Sequence, residues 1–108
     1  MENKTENQKR WYEKNKKEHY LKTRERSKRV YLLNAAFIKA LKESTPCADC
    51  GVFYLSYIMD FDHQRDKEGQ VHKFLTYSRK RLLEEIDKCE IVCSNCHRAR
   101  TWAYNSAV

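Results

Sequence analysis

Four cysteines stand in two pairs of the same spacing, Cys47 with Cys50 and Cys93 with Cys96. Two residues between thiols let one tight turn aim both sulfurs at a single ion. Two such turns can bring four thiolates around Zn²⁺ tetrahedrally at about 2.3 Å. Gly51, directly after the first pair, suits the backbone bend that turns amides toward the sulfurs. Four thiolates leave no open coordination position, so the expected chemistry is a folding staple, not catalysis. Cys89 is left over and reads as a small buried apolar side chain. A second set of residues offers different chemistry. Asp62-His63 lies between the pairs, and His97 follows Cys96 directly. A metal ion clamping the two pairs would draw all three toward one cleft. Carboxylates and imidazoles are groups that can bind metal ions or move protons near neutral pH. Asp60 shares a face with Asp62 in a regular strand. It is either a carboxylate supporting the site or a polar residue closing the strand. His19 and His72 have no such context and read as surface residues.

These residues need elements to position them. From about Lys9 to Ser44 the chain has no Gly and no Pro and is dominated by Lys, Glu, Arg, Leu and Ala, which predicts helix. Thr45 before Pro46 ends it. Val30, Leu33, Phe37, Ile38 and Leu41 form a stripe expected to pack on the domain. Residues 9–29 are expected to project into solvent, with a break near 26–29 left open, and residues 1–8 read as frayed. Residues 52–61, rich in aromatic and β-branched side chains, predict a strand. Residues 62–73 read as a loop. Leu75 to Lys88 reads as a helix with Leu82, Leu83 and Ile86 inward, and Glu90-Ile91-Val92 as a short strand. A last helix is expected from Ser94, its N-cap, to about Tyr104.

Asp62-His63 together with Cys93-Ser94-Asn95-Cys96-His97-Arg98-Ala99-Arg100-Thr101 resembles the HNH endonucleases of the cysteine-bearing kind, over about residues 47–101. Small phage-encoded members commonly carry a basic helical N-terminal arm as well. The resemblance implies an α+β chain: a small ββα-metal domain at 47–108, stapled by a four-cysteine zinc site, behind a long basic N-terminal helix in an arm at 1–46. It implies His63 as general base, Asp62 and His97 as ligands of one catalytic Mg²⁺ or Mn²⁺, and Arg98 and Arg100 as grips on adjacent phosphates. The family's middle asparagine, which orients the base, has no counterpart in Asp87-Lys88-Cys89-Glu90, and Asn95 does not match its position. A backbone carbonyl is then the expected orienting group.

Charge points the same way. Residues 1–46 hold 13 Lys and Arg against 6 Asp and Glu, while residues 47–108 hold 9 of each. The whole excess of +7 therefore sits in the arm, the signature of a segment that meets a polyanion. Lys9, Arg10, Lys16, Lys17, Arg24, Arg26, Lys28 and Arg29 are its candidate DNA contacts, and its six acids leave a salt-bridged solvated helix as the other reading. No apolar run approaches the roughly 18 residues that span a bilayer. The first twenty residues are charged throughout, which excludes a secretory signal. The expectation is a cytoplasmic protein, in the host cytoplasm if phage-encoded, with DNA and not membrane as partner. Two functions compete: a metal-dependent DNA endonuclease, and a non-catalytic zinc module that binds nucleic acid. A coiled-coil interaction module is disfavoured, because residues 9–29 lack sustained apolar heptads.

Overall fold

The structure, a computed structural model, describes residues 5–106. Helix α1 spans Glu6–Ser44 without interruption, so there is no break at 26–29. It also starts earlier than composition predicts. Thr5 Oγ1 accepts from Gln8 N and Gln8 Oε1 accepts from Thr5 N, a reciprocal cap that ties down the first turn. Residues 1–4, part of the stretch read as frayed, lie outside the described residues. Thr45 is extended and Pro46 follows, which stops the helix where the sequence says.

At 1.5 Å per residue α1 is about 58 Å long, and its first two dozen residues stand clear of the body. The molecule consequently measures 66 × 32 × 19 Å, with a radius of gyration of 21.1 Å against about 13 Å for a compact chain of this size. No helix among the described residues is long and apolar enough to cross a membrane.

The inner end of α1 docks through a polar residue. Asn34 is buried, its Nδ2 donating to the carbonyls of Leu75 (2.8 Å) and Tyr77 (3.0 Å) while its Oδ1 accepts from Arg79 Nε (2.8 Å). Leu33, expected inward, is 61% exposed. The inward line runs through Val30, Asn34, Phe37, Ile38 and Leu41 at helical spacing, and Leu33 sits one residue off it. Asn34→Ala should strand two carbonyls and a guanidinium N–H, costing about 1–3 kcal/mol. A thermal melt checks this, and an unchanged midpoint would show that α1 docks without that bond.

Strands β1 (Met59–His63) and β2 (Cys89–Cys93) pair antiparallel, Met59 opposite Cys93 and His63 opposite Cys89. Residues 52–58 are not strand; Ser56–Ile58 is a 3-10 turn. The reason lies in the partner. β2 gives way to a helix at Ser94, so nothing remains to pair beyond Met59. Helix α2 (Arg79–Ile86) is shorter than Leu75–Lys88. Ser78 caps it by accepting from Arg81 N, and the carbonyls of Leu75 and Tyr77 are taken by Asn34 instead of by helical amides. Leu83 is exposed, leaving Leu82 and Ile86 inward. Helix α3 (Ser94–Ser106) follows β2 directly.

Two apolar clusters result. Cys47, Met59, Val92 and Cys93 form one beneath the cysteine pairs, and Val71, Phe74, Leu75 and Leu82 form the other against α1. The fold is thus α+β: a long N-terminal helix, a two-stranded antiparallel sheet and a four-cysteine cluster.

Candidate metal centres and catalytic cleft

The Sγ atoms of Cys47, Cys50, Cys93 and Cys96 all lie within 4.8 Å of one another. Sulfurs about 2.3 Å from a common tetrahedral ion would stand about 3.8 Å apart, within that bound, so the donor set fits a thiophilic metal ion such as zinc. Backbone geometry explains the convergence. Gly51 takes a left-handed φ of +74° and its N–H returns to Cys47 O at 2.9 Å, closing the first turn. Ala48 N donates to Ile91 O at 2.9 Å, which fastens that turn to β2. Cys47 Sγ accepts from the amides of Cys50 (3.5 Å) and Cys93 (3.3 Å). Burial pushes the Cys47 thiol up, but the amides of Cys50, Cys93 and Asp49 outweigh it and bring it down to about 6. That favours the thiolate a metal needs.

Cys93 Sγ accepts from Cys96 N at 3.4 Å, so this sulfur caps the first turn of α3. Ser94, the expected N-cap, is instead the first helical residue, and its hydroxyl donates to Ile58 O at 2.9 Å. Cys89 stays outside the cluster. Burial, with the charges of Glu85 and Asp62, pushes its thiol up to about 11.

Alternation along β1 separates the polar residues. Asp60 and Asp62 both reach His97 on α3, while His63, at the end of the strand, reaches Glu85 on α2. His97, in the first turns of α3, is held between the two aspartates. Its Nδ1 lies 3.0 Å from Asp60 Oδ2 and its Nε2 lies 3.7 Å from Asp62 Oδ1. With the proton on Nδ1 donated to Asp60, the Nε2 lone pair faces Asp62. This is the arrangement by which a carboxylate fixes a metal-ligating imidazole. Asp60 therefore has the geometry of a supporting carboxylate.

His63 has a partner that sequence reasoning did not find. Its Nε2 lies 2.8 Å from Oε2 of Glu85, whose side chain is 0% exposed. The expected backbone carbonyl is not the group that orients it, and Asn95 is exposed on α3. Burial alone would push the Glu85 carboxyl up. Lys88 Nζ at 3.1 Å, the Glu68 amide at 3.2 Å and His63 together hold it below the usual value, so it is ionised at neutral pH. The signal was present: Glu85 falls between Leu82 and Ile86 on the apolar side of a predicted helix, where an acid needs a reason.

Asp62, His63, His97 and Arg100 line one open cleft of about 620 Å³, together with Gln64, Glu90, Thr101 and Tyr104. Arg98 is exposed, as a phosphate contact requires. Arg100 is differently placed from expectation. Its guanidinium bridges Asp49 (2.6 Å), Asp62 (2.8 Å) and Glu90 (3.1 Å), tying the first cysteine turn to the cleft. His19 and His72 are exposed.

The eight basic residues of the arm are exposed too. At about 3.6 residues per turn, Lys9, Arg10, Lys16, Lys17, Arg24 and Lys28 fall on one side of α1, and Arg26 and Arg29 fall off it. Comparison of the chain with models of known protein families, with curated proteins and with solved structures finds no match.

Proposed function

We propose that this chain is a metal-dependent DNA endonuclease of the HNH kind, with a structural zinc at its four cysteines. The observation that carries the reading is the pairing within one cleft: His63 on buried Glu85, and His97 on Asp60 with its other nitrogen toward Asp62. A bare zinc module has no use for two separately supported imidazoles beside a carboxylate.

The residues divide the work of phosphodiester hydrolysis. With Nε2–H donated to Glu85, His63 keeps the Nδ1 lone pair to accept the proton of an attacking water. Ionised Glu85 then steadies the imidazolium. Asp62 and His97 are the pair that would hold Mg²⁺ or Mn²⁺. Such an ion supplies Lewis acidity and neutralises charge at the leaving 3′ oxygen. Asp60 keeps His97 in the tautomer that can ligate. The new bond joins water oxygen to phosphorus, and the P–O3′ bond breaks, the 3′ oxygen taking a proton from solvent, which leaves 5′-phosphate and 3′-hydroxyl ends. Incubating linear duplex DNA with the protein and Mn²⁺, then identifying the ends, tests this. Intact DNA, or 3′-phosphate ends, would refute it.

One observation favours the non-catalytic alternative. Arg100 already occupies Asp62 Oδ2 at 2.8 Å, as a purely structural carboxylate would be occupied. In the nuclease reading only Oδ1 faces His97 and serves the ion.

The arm supplies affinity. Removing residues 1–29 should weaken DNA binding while leaving the melt of the remainder nearly unchanged, because the described part of that stretch, residues 5–29, stands apart from both apolar clusters. For every phosphate that the arm neutralises, its removal should flatten the dependence of log affinity on log salt by about 0.9. Equal slopes for the truncated and full chains would make the arm merely solvated surface.

A further inference from the structure

A second, smaller cavity adjoins the cleft on the far side of His97. It encloses about 330 Å³ and is lined by Lys42, Asp60, Phe61, Gln70, Val71, His72 and His97. Of these only His97 also lines the larger cleft. Lys42 comes from the last turn of α1, the helix that carries the basic arm. Its stem is half-buried and its Nζ lies 5.0 Å from the centre of the Phe61 ring. The one carboxylate in the cavity, Asp60, is engaged by His97 Nδ1 at 3.0 Å. Lys42 forms no ion pair among the described residues. Burial lowers its affinity for the proton and the charge of Asp60 pulls the other way. A half-buried cation that is in no close ion pair can receive an anion. Gln70 and His72 also line it and carry N–H groups that can donate.

We propose that this cavity binds a backbone phosphate of the nucleic acid, next to the one held at His97, with Lys42 as its cation and Gln70 and His72 as donors. The inference rests on the nucleic-acid reading of the cleft. Occupation by a phosphodiester is favoured over a free small anion, because the cavity shares His97 with the cleft and draws Lys42 from α1, the helix that carries the arm. A strand lying across His97 would present successive phosphates to both spaces.

The test uses the full-length, zinc-loaded protein binding a duplex oligonucleotide without added Mg²⁺ or Mn²⁺, titrated with salt. Lys42→Met keeps the stem on Phe61 and removes the charge. It should lower affinity roughly three- to tenfold at moderate salt and flatten the salt slope by about 0.9, while Lys42→Arg restores both. Lys39→Met, one turn earlier on an exposed face, should change the slope less. Melting midpoint and zinc content are measured for each variant, and Lys42→Gln gives the same comparison should the methionine variant unfold. An unaltered slope in Lys42→Met, an equal loss in Lys39→Met, or no DNA binding by the wild type would each overturn the proposal. The nuclease reading stands or falls separately. A loss specific to Lys42 in a protein that cuts nothing would leave the phosphate site and remove the enzyme, and cutting without that loss would do the reverse.

Discussion

Cys47→Ser protein is expected to bind no zinc and to lose cooperative folding from residue 47 onward. Cys47 is 2% exposed, accepts two backbone amides through its sulfur and belongs to the apolar cluster beneath both cysteine pairs. A hydroxyl in its place is a poor zinc ligand. The magnitudes decide the outcome: structural zinc contributes about 10–16 kcal/mol of apparent binding free energy, whereas small domains are stable by only about 5–15 kcal/mol. Losing the ion should therefore exceed the stability of the part it holds. A strong chelator should reproduce the effect in the wild type. Cys89→Ser should keep one zinc per chain, since that thiol lies outside the cluster. Near-UV circular dichroism with zinc analysis reads the result, and a zinc-free protein with an unchanged unfolding midpoint would show that the four sulfurs are only buried thiols.

The second large effect separates the histidines. His63→Ala should cut the cleavage rate roughly 10²–10⁴-fold, the usual contribution of a positioned base, with metal and DNA affinity nearly unchanged. Glu85→Gln keeps the packing and removes the charge behind His63, so it should lower turnover more than it alters DNA affinity. His97→Ala should instead weaken the divalent ion, and part of its lost activity should return at higher Mn²⁺. Asp62→Ala should follow His97→Ala, because the two face each other across 3.7 Å. None of these residues is a cysteine, so zinc should stay bound in all four variants. A Mn²⁺ titration of cleavage rate with parallel zinc analysis distinguishes these patterns. Joint loss of zinc in the Asp62, His63 and His97 variants would make them fold elements.

Much of the fold was legible because its signals are local. Absence of Gly and Pro, the Thr45-Pro46 stop and the paired cysteine spacing depend on neighbours in sequence. What was missed depends on neighbours in space. Residues 52–58 have strand-forming side chains but no partner strand, since Cys93 hands over to α3 opposite Met59. Asn34 is polar and still holds the docked end of α1, because it satisfies two carbonyls 41 and 43 residues away. Asp62, His63 and His97 followed from motif spacing, and Asp60 beside them from the two-residue period of a strand. Glu85 escaped because its partner is 22 residues away, although its place on an apolar helix face marked it. Arg100 escaped for the same reason: only the folded chain brings Asp49, Asp62 and Glu90 around it.

The most direct test of the central claim is conversion of supercoiled plasmid to the nicked form by zinc-loaded protein. Mg²⁺ or Mn²⁺ is either supplied or simply omitted, since a strong chelator would also strip the structural zinc. Nicking is expected to require the added ion and to fall at least about a hundredfold in His63→Ala protein that retains its zinc. Nicking that persists without the ion, or is equal in wild type and a folded His63→Ala variant, would contradict the claim, as would a folded wild type that binds the plasmid and leaves it supercoiled.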